Sequence, residues 1–200
     1  MTARCIQVFA KAPIPGKIKT RLQPALSGED CARLSRDMIR HSLRTARSLP
    51  GVEAQLWCFP HDRDPFFQEM AAEFAVTLHR QAGANLGDRM KNALREGRET
   101  FDAILLIGSD CPFYTREYLR HGFNLLENES QIVIGPATDG GYLLIGANRP
   151  IPDAAFDGIT WGTSDVFRDT LDRLEGEGVT PRLLPIMSDI DRPEDLRRFR

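Results

Sequence analysis

The stretch Ala103-Ile104-Leu105-Leu106-Ile107-Gly108-Ser109-Asp110-Cys111-Pro112 decides the fold. Its first five residues are apolar without alternation, which predicts a strand covered on both faces, as in a parallel sheet flanked by helices. A carboxylate follows at once, at the carboxyl end of the strand. In open parallel sheets ligands bind outside those ends. Working outward, strand-like runs fall at 6–10, 54–59, 75–79, 132–135, 142–147 and 182–186. Helical patterns fall between them. One opens at Ser27 or Gly28 and runs to about 48, with Cys31, Leu34, Met38 and Leu43 inward. Others cover 65–74, 86–99 (Met90, Ala93 and Leu94 inward) and 164–174, and a short one starts at Pro193. Thr115 is an N-cap candidate for a further helix to about 126. Strand and helix alternate, so the expectation is an α/β fold with a mostly parallel twisted sheet and helices on both faces.

The 200 residues carry 26 Lys plus Arg and 28 Asp plus Glu, a net charge of −2. Hydrophobic content of 42% and charged content of 27% exclude a disordered, collagenous or disulfide-scaffold chain. No repeat, low-complexity tract or linker breaks the sequence, so one domain over 1–200 is expected. The run at 103–107 is the longest apolar stretch, far short of the roughly 18 residues of a membrane helix. The start of the chain lacks a signal-peptide pattern. Cys5, Cys31, Cys58 and Cys111 lack CxxC spacing, which predicts reduced thiols in a cytoplasmic protein.

The small net charge conceals an asymmetry. The first 28 residues hold Arg4, Lys11, Lys17, Lys19 and Arg21 and no acid, so the remainder carries −7. Without interleaved aromatics this is not a nucleic-acid stripe. A compact cationic loop after a strand fits a small anion such as a nucleotide phosphate. In Lys11-Ala-Pro-Ile-Pro-Gly16-Lys17-Ile-Lys19-Thr-Arg21 the prolines extend the loop and Gly16 lets backbone approach a ligand. It is not a Walker loop, since GxxxxGK[ST] is absent.

Further candidates follow. Asp110 ends the most apolar strand, where a carboxylate is stable if it binds a cation or accepts hydrogen bonds. Magnesium bound with nucleotide phosphates uses one or two protein carboxylates. In Thr138-Asp139-Gly140-Gly141-Tyr142, Asp139 is an acceptor ligand, a general base or a second metal carboxylate, or the segment is a hairpin turn. Asp189 is a possible second metal carboxylate, whereas Asp191, Pro193 and Glu194 match a helix-capping arrangement. Gly87, in Leu86-Gly87-Asp88-Arg89-Met90, allows close approach to a base or sugar that Asp88 or Arg89 contacts, or the segment merely opens a helix with an acid in its first turn. Trp161 is an acceptor platform or core. His41, His61, His79 and His121 have no ligand spacing.

The ordered segments KAPIPGKIKTRL (11–22), LGDRM (86–90), LLIGSDCP (105–112), IGPATDGGYLLIG (134–146), WGTSDV (161–166) and DIDRPED (189–195) resemble the DUF2064 family. Its members are labelled glycosyltransferase-like or arsenosugar-biosynthesis-type transferases. The resemblance covers about 5–196. It implies a GT-A-like, Rossmann-like three-layer sandwich of the nucleotide-diphospho-sugar transferase superfamily. The chain is more distantly similar to 2-phospholactate and molybdenum-cofactor guanylyltransferases. By that resemblance Gly16, Lys17, Lys19 and Arg21 hold the nucleotide phosphates and Asp110 holds Mg²⁺ or Mn²⁺; read from the residues themselves, Lys11, Gly87 and Ser109 are further nucleotide-binding candidates and Asp189 is the second metal candidate. Asp110 and Asp139 are the catalytic carboxylates, and Gly140, Gly141 and Trp161 meet a small-molecule acceptor. One departure stands out: the Asp-x-Asp of many GT-A enzymes reads Ser109-Asp110-Cys111-Pro112. The expected function is metal-dependent transfer from a nucleotide-linked donor, with glycosyl transfer ahead of nucleotidyl transfer. A nucleotide-binding regulator without turnover is a third reading, which would tolerate loss of Asp110. No nucleic-acid or membrane partner is expected.

Overall fold

The computed structural model describes residues 2–128 and 131–198. β1 (Arg4–Lys11) leads through a loop with a 3-10 turn at Thr20–Leu22 into α1 (Gly28–Arg47). β2 (Val52–Phe59), α2 (Pro65–Phe74), β3 (Thr77–Arg80), α3 (Leu86–Arg98), β4 (Ala103–Gly108) and α4 (Arg116–Asn128) follow. β5 (Ile132–Pro136) and β6 (Tyr142–Ala147) form a hairpin, and α5 (Val166–Gly176), β7 (Arg182–Leu183) and a 3-10 turn at Asp195–Arg198 complete the order. Local chemistry sets the helix starts. Ser27, Asp64, Asn85 and Thr115 each accept a backbone N–H of the first turn, and Pro65 stands at the first position of α2.

The seven strands form one sheet in the order β3-β2-β1-β4-β6-β5-β7. β6 alone runs against its neighbours; β1, β2, β3 and β4 are mutually parallel, as are β5 and β7. The carboxyl ends of β1, β4 and β5 therefore share one edge. The mostly parallel expectation holds, with the β5–β6 hairpin as the insertion that reverses one strand.

Helices cover both faces, which gives three layers. β1 splits its side chains between them. Ile6, Val8 and Ala10 meet residues of α1, α2 and α4, including Leu43, Phe67 and Phe123. Cys5 and Phe9 meet α3 and α5 through Met90, Ala93 and Leu174. All five residues of 103–107 are buried, as a strand covered on both faces requires. A third, small cluster joins Leu22, Cys31 and Met38 to Ile190, so the C-terminal segment is pinned across α1 and the loop after β1.

β1 and β2 begin two residues earlier than expected, at Arg4 and Val52, and further differences lie in later elements. The third strand begins at Thr77 rather than 75, and α5 begins at Val166 rather than 164. The strand at 182–186 shrinks to Arg182–Leu183, with Pro181 and Pro185 on either side, where the ring fixes the backbone φ. The terminal helix is a 3-10 turn, and the capping is reversed. Asp195 Oδ2 accepts the amides of Asp191 (3.1 Å) and Arg192 (2.8 Å), while Asp191 pairs with Arg21. No helix among the described residues is long and apolar enough to cross a membrane.

Candidate active site

Two adjoining clefts open along the carboxyl edge. The first, about 470 Å³, lies over the ends of β1, β2, β3 and β4 and is lined by Lys11, Phe59, Gln81, Arg89, Ser109 and Asp110, among others. The second, about 570 Å³, lies over the β5–β6 turn and the C-terminal segment, with Arg21, Thr138, Asp139, Thr163 and Asp191 in its wall. Asp189 lines both.

The loop after β1 supplies the cations. Lys11 Nζ donates to Lys17 O at 2.8 Å, which folds the lysine back over its own loop. Gly16 turns at φ 78, open to solvent, and Lys17 is exposed. Arg21 Nη1 stands 2.7 Å from Asp191 Oδ2 in the second cleft. Lys19 is placed differently from its neighbours. Its backbone is left-handed at φ 50, and its side chain is buried. Nζ stands 3.0 Å from Asp110 Oδ1 and also donates to Ile190 O. An ammonium taken out of water needs both partners. Lys19 is thus the internal counter-charge of Asp110 rather than a free cation on the loop.

The acidic side chains converge from three elements. Asp110 follows β4, and its carbonyl accepts the Ile190 N–H at 3.1 Å, which draws the C-terminal segment onto the strand end. Asp139 sits in the β5–β6 turn, where Oδ1 accepts the Gly141 N–H at 2.9 Å. Thr138 N donates to Met187 O at 2.9 Å and so ties this turn to the same segment. Between them lies Asp189, whose carboxyl is pushed up to about 6 by burial and by the negative charges of Asp139 and Asp110, against the opposing pull of Lys19. Asp110, Asp139 and Asp189 thus line the meeting clefts, with Lys19 as the buried counter-charge of Asp110. No group of three His, Cys, Asp or Glu among the described residues is gathered closely enough to hold a metal ion unaided.

The turn 138–141 is a hairpin connection and also part of the second cleft. Gly140 has φ 90, and a Cβ there would lie 2.1 Å from Ser164 O, so only glycine lets the turn approach the 162–164 loop. Gly87 serves packing in the same way. A Cβ would meet the Trp161 indole at 2.6 Å, and that indole stands edge-on to Tyr142. Gly87 and Trp161, expected at nucleotide and acceptor, here face each other. Ser109 lines the first cleft with its N–H given to Phe9 O at 3.1 Å.

Sequence reasoning left out Gln81, Phe59 and Tyr142 and gave Arg89 only as one of two possible contacts. Gln81 follows β3, as Lys11 ends β1 and Ser109 follows β4; that shared position at a strand's carboxyl end is the signal that could have found it. Its Nε2 donates to Trp57 O and Ala10 O, which leaves Oε1 as an acceptor. Arg89 stacks over the Phe59 ring at 4.5 Å, has a buried Nε without a partner among the described residues, and is lowered from its ordinary pKa by burial.

The family profile described as "Uncharacterized protein conserved in bacteria (DUF2064)" matches residues 42–163. Among solved structures, a protein of Desulfovibrio desulfuricans G20 assigned as a nucleotide-diphospho-sugar transferase is 33% identical, with a TM-score of 0.87 over 96% of this chain and 84% of its own. A 4-diphosphocytidyl-2C-methyl-D-erythritol synthase has a TM-score of 0.63 at 14% identity, covering 98% of this chain and 97% of its own. The inositol-1-phosphate CTP transferase of T. maritima has a TM-score of 0.58 at 15% identity, covering 98% and 92%. The last two share the fold. No curated protein sequence matches the chain.

Proposed function

The chain belongs to the DUF2064 family, and on that footing we propose that it is a transferase that uses a nucleotide-linked donor, with glycosyl transfer to a small-molecule acceptor as the reaction. One observation carries the reading. Asp189 joins a cleft bearing Lys11, Ser109 and Asp110 to a cleft bearing Asp139, so a donor in the first and an acceptor in the second would meet at a charged junction.

In this reading the nucleoside part lies in the first cleft, between Gln81 and Arg89. Lys11 and Lys17 take the phosphates, and Arg21 neutralises charge from the side of the second cleft. Mg²⁺ or Mn²⁺ suits the junction because Asp110, Asp139 and Asp189 line the two clefts that meet there. Asp110 and Asp189 would hold the ion, with donor phosphates supplying the remaining ligands. Its chemistry is neutralisation of charge on the leaving phosphate. Lys19 fixes the position of the Asp110 carboxylate. The Gly141 N–H holds Asp139 Oδ1, so Oδ2 is the atom that receives the acceptor's proton. Gly140 and Gly141 act by shaping the turn, and Trp161 by supporting the loop that walls the acceptor cleft.

The cation-rich loop gives the second reading, nucleotidyl transfer from a nucleoside triphosphate, its specific support, since a triphosphate presents more charge than a sugar diphosphate. Thermal shift and calorimetry with nucleoside triphosphates and nucleotide sugars, with Mg²⁺ and with chelator, separate the two. Stabilisation by nucleotide sugars with Mg²⁺ is expected. Preference for triphosphates selects the second reading, and no response to any nucleotide removes both.

A further inference from the structure

A further cavity lies at the opposite pole of the sheet. Because β6 runs against β4, its end at Ala147 pairs with Ile104, at the amino end of β4 and away from Asp110. There a cavity of about 250 Å³ opens between the last turns of α3 and the segment after β6. Leu94, Ala147, Ile151 and Phe156 give it an apolar floor. Four cations, Lys91, Arg95, Arg98 and Arg149, stand around it with a single carboxylate, Asp153. None of these residues lines either cleft of the candidate active site.

The charges do not balance locally. Asp153 lies 3.0 Å from Arg95, and Lys91 is answered by Asp157 at 3.1 Å. Arg98 donates from Nη1 to Phe101 O at 2.6 Å, and its buried Nε has no partner among the described residues. Among the described residues Arg149 has no carboxylate partner. Two guanidinium groups thus border an apolar floor, and among the described residues neither is paired with a carboxylate. A guanidinium fork matches a carboxylate or phosphate bidentately, and such charge-assisted bonds are the strong ones.

We propose that this cavity is a binding site for a small organic anion: a carboxylate or phosphate monoester carried on a single ring or a branched aliphatic body. The body covers Leu94, Ile151 and Phe156, and the head takes the free donors of Arg98 and Arg149. Inorganic phosphate would leave the floor wet, and a neutral apolar molecule would leave the guanidiniums unanswered. α3 touches both sites. Leu86 and Arg89 line the first cleft, and Arg98 lies nine residues on, roughly 13 Å along the helix axis. A ligand of this size at one end does not overlap a nucleotide at the other.

The test titrates the full chain with phenyl phosphate, benzoate, benzyl alcohol and inorganic phosphate, by calorimetry and by amide NMR. One equivalent of phenyl phosphate or benzoate is expected to bind about tenfold more tightly than benzyl alcohol or inorganic phosphate. The amides that move should be those of 91–98 and 147–156. Arg149→Glu, at an exposed position, should fold with an unchanged Tm and lose about tenfold in affinity, and Ile151→Glu should bind no more tightly. A saturating nucleotide should leave the titration unchanged. Failure of both organic anions to bind, equal binding of benzyl alcohol, displacement by nucleotide, or undiminished affinity in both variants would overturn the proposal.

Discussion

Lys19 Nζ stands 3.0 Å from Asp110 Oδ1, with 2% of the lysine side chain exposed against 47% of the aspartate's. The pair is asymmetric: the cation is the buried partner. Removing the aspartate leaves an ammonium in the interior with Ile190 O as its remaining partner, whereas removing the lysine leaves a carboxylate that water already reaches.

Asp110→Asn is therefore expected to lower the free energy of unfolding by about 2–3 kcal/mol, the range for breaking a buried pair from one side with allowance for the open face of Asp110. Lys19→Met is expected to cost less, and the double variant to recover part of the loss. Urea denaturation of the three variants measures the coupling. Equal costs from the two single changes would contradict the asymmetry.

Asp189 sets a pH dependence. Its folded carboxyl is raised from 3.8 to about 6, so the folded chain holds this proton more tightly than the unfolded chain. The stability it contributes is complete below about pH 4 and is lost as pH rises through 6. A shift of this size represents about 3 kcal/mol, of which solvent on the open side leaves about 1–2. Asp189→Asn should flatten the profile between pH 4 and 6 and raise Tm at pH 7. A profile of unchanged slope would place the proton on another group.

Gly87→Ala places a Cβ 2.6 Å from the Trp161 indole, a ring that cannot bend away. The indole should leave its seat against Tyr142, with a red-shifted emission absent in the Trp161→Phe background, at a cost of about 1–3 kcal/mol. Wild-type emission in Gly87→Ala would show that the loop yields instead.

The four cysteines are free and buried, with Cys58 pushed up to about 12 and Cys111 to about 11 by burial. At pH 8 the folded protein should react slowly with a thiol reagent, and the denatured protein should yield four thiols. Rapid reaction of any one in the folded state would mean that its segment opens.

The sequence and the structure agree where short-range chemistry decides. The apolar run at 103–107, the caps at Ser27 and Thr115, and Pro65 at the head of α2 each act on near neighbours, so each was readable. Lys19 was not, because charge patterning registers a cation without saying that its partners arrive from β4 and from the C-terminal segment. Gly87 carried the same ambiguity. A glycine before a helix looks alike whether the space it leaves receives a ligand or the distant Trp161. Asp189 gains its character from burial beside Asp110 and Asp139, which only the crossing of three segments creates.

The short outer strands bear on how the chain behaves when crowded. β3 has four residues and β7 has two, and Pro181 and Pro185 bracket β7. Leu183 and Ile186 beside it are 47% and 62% exposed, an apolar strip of the sort that recruits strands from other molecules. The prolines remove backbone donors on either side of Arg182 and Leu183, so an incoming strand finds too few hydrogen bonds to seat itself. The open sheet is thereby a poor template for intermolecular growth, and aggregation through this edge is held back by two missing N–H groups rather than by charge.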